Sequence, residues 1–271
     1  MYLGWNEIEM MVIEDKLTIN SELLKREVIC DVLMPEDIDN IQPLSLLLLN
    51  DGQEIEALQV KQTLQSLYDN NSINPLVIVA IHAGDERLQE YGVANRPDFK
   101  NRGAKAGLYT QFIISELLPA INELLPEHKF KTTAFAGFSL GGLSALDIAW
   151  NNAGLFDKVG VFSGSLWWRS KEIGKGYTDV DRIAHAMIRE TNGKPELKFW
   201  LQTGTKDETA DRNNNGIIDS IDDTIDLIKE LENKGFKRPD DIRYLELVGG
   251  SHDTHTWSKA MPKFLLWALG R

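Results

Sequence analysis

The chain has 271 residues, 42% hydrophobic, 8% aromatic and 26% charged, with 21 Gly and 9 Pro. That composition excludes disorder, collagen and coiled coil and is long enough for a substantial core. Asp and Glu number 41 against 29 Lys and Arg, a formal charge of −12, so nucleic acid and anionic membrane surfaces are not expected partners.

The opening residues have no basic stretch followed by an apolar one, which predicts a cytoplasmic chain; a removed signal would place it in the periplasm or outside the cell. No run reaches the 18 or so apolar residues of a membrane helix. The single cysteine, Cys30, has no intrachain disulfide partner and reads as a small core residue.

Taken in chain order, residues up to Met34 read as an antiparallel hairpin that includes a strand at 28–34, because 21–27 is too short for a crossover helix. Strand and helical patterns then alternate: strand 44–49, helix 55–68, strand 76–82, helix 107–125, strand 133–137 and helix 140–151. The alternation continues with strand 158–162, helix 181–189, strand 197–203, helix 222–234, strand 243–248 and helix 258–269. The runs at 46–49 and 77–81 are continuously apolar, as strands buried on both faces must be. The prediction is an α/β fold, one domain over 1–271, with a mostly parallel central sheet flanked by helices.

Gly137-Phe138-Ser139-Leu140-Gly141-Gly142 lies between a strand and an Ala-rich helix. This is G-x-S-x-G in the setting that makes it a nucleophile turn, with Ser139 exposed and strained and the Leu140 N–H facing a developing oxyanion. Such a serine needs a base, and an acid to orient the base. The strand 197–203 runs into Gly204-Thr205-Lys206-Asp207-Glu208, and the carboxyl end of a parallel strand is where α/β enzymes place chemistry. Asp207 is the expected acid, with Glu208 and Asp211 as alternatives.

Beyond the last strand, Gly249-Gly250-Ser251-His252-Asp253-Thr254-His255 holds two of the five histidines. His252, next to the Gly-Gly turn, is preferred to His255 as the base. His82 reads as structural, and His128 and His185 as surface or helix-face residues. The order Ser139, Asp207, His252 is the one this architecture uses.

Several segments resemble the esterase family of α/β-hydrolases, which includes esterase D, feruloyl and acetyl-xylan esterase domains and enterochelin esterase-like trilactone hydrolases. They are Leu48-Leu49-Asn50-Asp51-Gly52-Gln53, the Ser139 turn, Ser163-Gly164-Ser165-Leu166-Trp167-Trp168, and His252 followed five residues later by Trp257. The resemblance, spanning about 21–269, implies a second oxyanion donor at the Gln53 N–H and places Trp167 and Trp168 near the substrate. It also matches Arg87-Leu88-Gln89-Glu90-Tyr91 to an R-x-x-E-Y turn, without assigning it a role. The cations Arg96, Lys100, Arg102 and Lys105 form the one basic cluster in this region that would suit a catecholate substrate.

Residues 211–222 fit a twelve-residue calcium loop, with oxygen ligands from Asp211, Asn213, Asn215, Asp219 and Asp222, the Ile217 carbonyl, and Gly216 at the turn. Asp222 in the last position resembles dockerin loops rather than sensor EF-hands. A structural Ca2+ that orders the segment bearing Asp207 is expected, with no organic cofactor.

The resulting expectation is a serine carboxylic-ester hydrolase acting on a small-molecule siderophore-type or carbohydrate-linked ester. The alternatives are a thioesterase or peptidase with the same triad, and a non-catalytic calcium-dependent carbohydrate- or protein-binding scaffold. Oligomeric state is not legible in the sequence.

Overall fold

The hairpin expected before Met34 forms: β1 (Val12–Ser21) and β2 (Arg26–Pro35) pair antiparallel from Val12 opposite Pro35 to Ser21 opposite Arg26. The computed structural model describes residues 10–38 and 43–271. The remaining strands are β3 (Leu44–Asn50), β4 (Leu76–Ile81), β5 (Phe130–Phe138), β6 (Lys158–Phe162), β7 (Lys198–Lys206) and β8 (Ile242–Ser251).

All eight join one sheet in the order β1-β2-β4-β3-β5-β6-β7-β8. β2 meets β4 antiparallel, and every pairing from β4 through β8 is parallel. β3 and β4 are buried at every residue, because helices cover both faces.

One face carries α1 (Val60–Asp69) and α8 (Thr254–Leu269). The other carries α3 (Ala106–Phe112), α4 (Leu118–Leu124), α5 (Leu140–Asn151), α6 (Ile183–Glu190) and α7 (Asp219–Asn233). The short α2 (Arg87–Glu90) follows β4. Each fully buried Leu, Ile or Val in these two apolar layers contributes about 1.5–3 kcal/mol. Cys30 lies in one of them, and burial pushes its thiol up to about 12, so it is a core residue and no nucleophile.

The expected helix 107–125 is a single rod, α3 and α4 joined by a π-helical stretch, Ile113–Leu117. Pro119, at the start of α4, cannot donate a backbone hydrogen bond where the pitch widens. α1 begins five residues later than expected because Gln59 is left-handed, φ +53°. His128 and His185 are buried rather than superficial: the His128 ring bonds the Ile38 carbonyl and His185 Nε2 the Asp223 carbonyl. Among the described residues no helix is long and apolar enough to cross a membrane.

Two registers position the site. Phe138 pairs with Phe162 at the carboxyl ends of β5 and β6, so Ser139 and Ser163 leave the sheet side by side. β8 runs three residues past its expected end, with a register shift, until Ser251 pairs with Lys206 of β7. The next residue on each strand is therefore a candidate: Asp207 on one and His252 on the other.

Candidate active site

Ser139 has φ +52° and ψ −120°, a conformation that costs a non-glycine residue on the order of 1–3 kcal/mol. The neighbouring glycines make the turn sterically feasible. A Cβ on Gly137 would lie 2.4 Å from the Gly141 backbone, and one on Gly141 2.5 Å from Asp51 Oδ2. The turn is pinned by the Ser139 N–H donating to the Phe162 carbonyl at 2.9 Å. Leu140 opens α5, where an N–H has no partner within the helix and the dipole favours negative charge.

Ser139 and His252 line one cleft of about 480 Å3, together with Asp51, Gln53, Glu54, Arg87, Phe138, Asp253, Thr254 and Trp257. Trp257 meets the His252 ring edge-on at 5.2 Å, lies 5.0 Å from Phe138, and donates its Nε1–H to Ser163 Oγ at 3.0 Å. Although His252 keeps an exposed surface, displacement of water from the rest of it lowers its pKa below the usual value. Asp207 opposes that shift, Arg87 adds to it, and Asp253 opposes it. The ring is therefore neutral near pH 7 and free to accept a proton.

Asp207 is buried, one residue beyond Lys206, whose partner across β7 and β8 is Ser251, the residue before His252. Its Oδ2 accepts from the Gly204 N–H at 3.0 Å and the Ser220 hydroxyl at 3.4 Å, and its buried Oδ1 has no hydrogen-bond partner. The alternatives lie elsewhere. Glu208 is half-buried, its carboxyl pushed up by burial and then by Asp219 and Asp223. Asp211 accepts the N–H groups of Asn215 and Gly216, and His255, on the first turn of α8, is exposed like His252 but does not line the cleft.

The segment bearing Gln53 is held by two side chains of the R-x-x-E-Y turn, Arg87 and Tyr91. Asp51 is left-handed, φ +63°. Arg87 grips its carboxylate with two bonds of 2.6 and 2.7 Å, and Tyr91 OH accepts the Asp51 N–H at 3.3 Å. Glu90 is buried and bonded twice by Arg26. Gln53 itself is exposed, and its side-chain carbonyl accepts the Ala83 N–H. Sequence reading assigned no role to Arg87 or to Ser165, whose hydroxyl lies 3.3 Å from Ser139 Oγ. The signal for Ser165 was its place just past the strand beside β5.

Trp168 is fully buried and packs under Gly92 and Gly103, which corrects its expected place against substrate: no face is left for a ligand. Trp167 is half-buried, with the Arg102 and Arg169 guanidiniums 5.0 and 5.8 Å from its ring. Three of the four clustered cations are already paired, Arg96 with Glu190, Arg102 with Asp98 and Lys105 with Glu86.

The expected calcium ligands are engaged with one another and with Arg212. Asn213 and Asn215 turn their amide NH2 groups toward Asp222 Oδ2, at 2.9 and 2.8 Å, while their oxygens accept backbone N–H groups of the loop. Asp219 is taken by Arg212, through the backbone N–H at 2.9 Å and the guanidinium at 3.2 Å. Among the described residues no three His, Cys, Asp or Glu side chains are gathered to hold a metal. As arranged, the loop does not fit the six-oxygen cage that Ca2+ requires.

Comparison with known proteins accords with this architecture. The family profile described as "Putative esterase" matches residues 21–268. The Iron(III) salmochelin esterase of Escherichia coli is 32% identical over 136 residues, 49% of this chain and 31% of that protein. The chain thus matches about a third of the length of that curated relative. Among solved structures, an enterobactin esterase from Shigella flexneri superposes with TM-score 0.70 at 21% identity, over 94% of this chain and 59% of that one. A ferulic acid esterase gives 0.71 at 18% identity over 98% and 99%, and a siderophore hydrolase from Aspergillus nidulans 0.68 at 18% over 95% and 97%. With a family match over nearly its whole length and esterase structures superposing over 94–98% of it, the chain belongs to the esterase family and has the α/β-hydrolase fold.

Proposed function

We propose that the protein hydrolyses carboxylic esters through an acyl-enzyme. The observation that carries this reading is the strained Ser139 lining one cleft with His252, while the register of β7 and β8 brings Asp207, with its buried, unpartnered oxygen, to the strand end next to His252. Ser139 Oγ attacks the acyl carbon while His252 takes its proton. The Leu140 and Gln53 N–H groups stabilise the tetrahedral oxyanion, and His252 then protonates the departing alkoxide. Asp207 Oδ1 holds the imidazole in the useful tautomer, and water releases the acyl group by the reverse sequence.

The charge of the cleft favours an uncharged, carbohydrate-linked ester over a polyanionic siderophore ester. Asp51, Glu54 and Asp253 line it against a single guanidinium, Arg87, which is bound to Asp51. The nearby basic cluster is mostly engaged in its own ion pairs. The enterobactin and salmochelin esterases among the relatives keep the siderophore reading as the second one.

Ser139→Ala is expected to cut p-nitrophenyl ester hydrolysis by at least about 10^3-fold with an unchanged melting temperature. Retained hydrolysis rejects the assignment. An acetylated sugar, a feruloyl ester and a catecholate trilactone assayed side by side separate the substrate readings.

A further inference from the structure

The turn after β6 touches both halves of the proposed catalytic pair. Its backbone is anchored at two points: the Ser163 N–H donates to the Gln202 carbonyl at 2.8 Å, and the Ser165 N–H to the Ser139 carbonyl at 3.0 Å. Ser163 is buried with φ +43°, a conformation that favours glycine. A Cβ on the intervening Gly164 would lie 2.4 Å from a Val161 methyl. The turn therefore has little freedom, and of its two buried hydroxyls one meets Ser139 and the other Trp257.

The Ser165 hydroxyl is 4% exposed and meets Ser139 Oγ at 3.3 Å, long for an O–H···O bond but within reach of one. The Ser163 hydroxyl accepts the Trp257 Nε1–H at 3.0 Å. Trp257 is thereby fixed between Phe138, the residue before the nucleophile, and the His252 ring, each about 5 Å away. Among the described hydrogen bonds, those of Ser163 and Ser165 join the nucleophile turn to the base-bearing loop.

We propose that the Ser163–Gly164–Ser165 turn sets the position of Ser139 relative to His252. Ser165 acts on the reacting atom, donating its O–H to Ser139 Oγ so that the Ser139 proton is left for His252. Ser163 is a positioning residue that acts through Trp257, whose ring limits where the His252 ring can lie. A geometry held from both sides is what a proton transfer needs, because small displacements of nucleophile or base cost rate and not binding. The proposal rests on the reading of Ser139 as nucleophile and His252 as base.

The test uses the full chain and two readouts, the rate of covalent labelling by a fluorophosphonate and steady-state ester hydrolysis. Ser165→Ala removes a hydroxyl in a near-isosteric change. Ser163→Gly removes the other and relieves the backbone, so its fold is expected to be at least as stable. Trp257→Phe deletes the same bond from the other side.

Each variant is expected to label and turn over roughly 3- to 10-fold more slowly, with lower kcat, unchanged KM and unchanged melting temperature for the two serine variants. Ser163→Gly and Trp257→Phe together are expected to lose little more than either alone, because both break one bond. Additive losses, or a Ser163→Gly enzyme at full rate, overturn the role of Ser163. A Ser165→Ala enzyme at full rate overturns that of Ser165. If the wild-type chain is not labelled at Ser139, the underlying reading of the function fails instead.

Discussion

The Ser139 turn, 137–142, and the acidic loop, 211–222, are both short motifs, six and twelve residues long, and they fare differently. In the first, backbone decides: the turn conformation and the strand registers deliver Ser139, Asp207 and His252 to one edge of the sheet. In the second, ligation depends on where side chains point, and residues outside the motif compete for them. The segment from Lys206 to Glu230 has eight acids and three bases, and part of that excess is offset from within and by Arg182 and Arg189. Arg212 takes Asp219 and the buried Asp223, and Arg182 bonds Asp223 at 2.5 Å and Asp226 at 2.7 Å. An internal pair of guanidiniums occupies the electrostatic role expected of Ca2+. Each region keeps one buried carboxylate oxygen without a hydrogen-bond partner, Asp207 Oδ1 in the first and Asp223 Oδ2 in the second; what sets the first apart is a cleft that Ser139 and His252 line together.

The contrast breaks most sharply at Asp207. Asp207→Asn keeps the shape of the side chain but no longer favours the useful tautomer of His252, so kcat is expected to fall by about 10^3–10^4-fold. A loss below tenfold would move the acid role to another residue.

On the loop side, Arg212→Met leaves Asp223, which is fully buried, with one cation instead of two. Denaturant unfolding should record a loss of about 3 kcal/mol. A change within error would show the network to be dispensable.

His185 sharpens the comparison through pH. Burial, reinforced by Arg182, lowers its pKa to about 3, against an unperturbed 6.5. The unfolded chain then binds more protons between those values, so this contribution to stability is complete above about pH 6.5 and is lost as pH falls toward 3. Urea midpoints of wild type and His185→Gln should converge over that window; parallel curves would remove His185 from the acid response. The smallest effect is expected from chelation. With Asp219 held by Arg212, EDTA should shift neither the melting temperature nor the hydrolysis rate, and a drop in either would restore calcium as the organiser of the loop.

Much of the fold was legible because its signals are local. Continuous apolar runs marked β3 and β4, and the spacing between 21 and 27 ruled out a crossover and left a hairpin. The exit of β7 into Asp207 was legible in the same way. The three-residue extension of β8 was not, because it depends on pairing with Lys206 some 45 positions away in the chain. His185 was misjudged for the same reason: α6 turns it onto α7, which bonds it through the Asp223 carbonyl.

By itself the sequence determined what backbone conformation and apolar period can determine: an α/β sheet, a strained serine between a strand and a helix, and the chain order of the proposed acid and base. Only the tertiary structure decided which charges meet and which aromatic is covered. Arg87 settles on Asp51, Arg212 on Asp223, and Trp168 sinks under two glycines while Trp167 stays half open. The physical reason is range. A dihedral angle is set by its immediate neighbours, whereas the energy of a charge or an indole depends on burial and on partners supplied from distant parts of the chain.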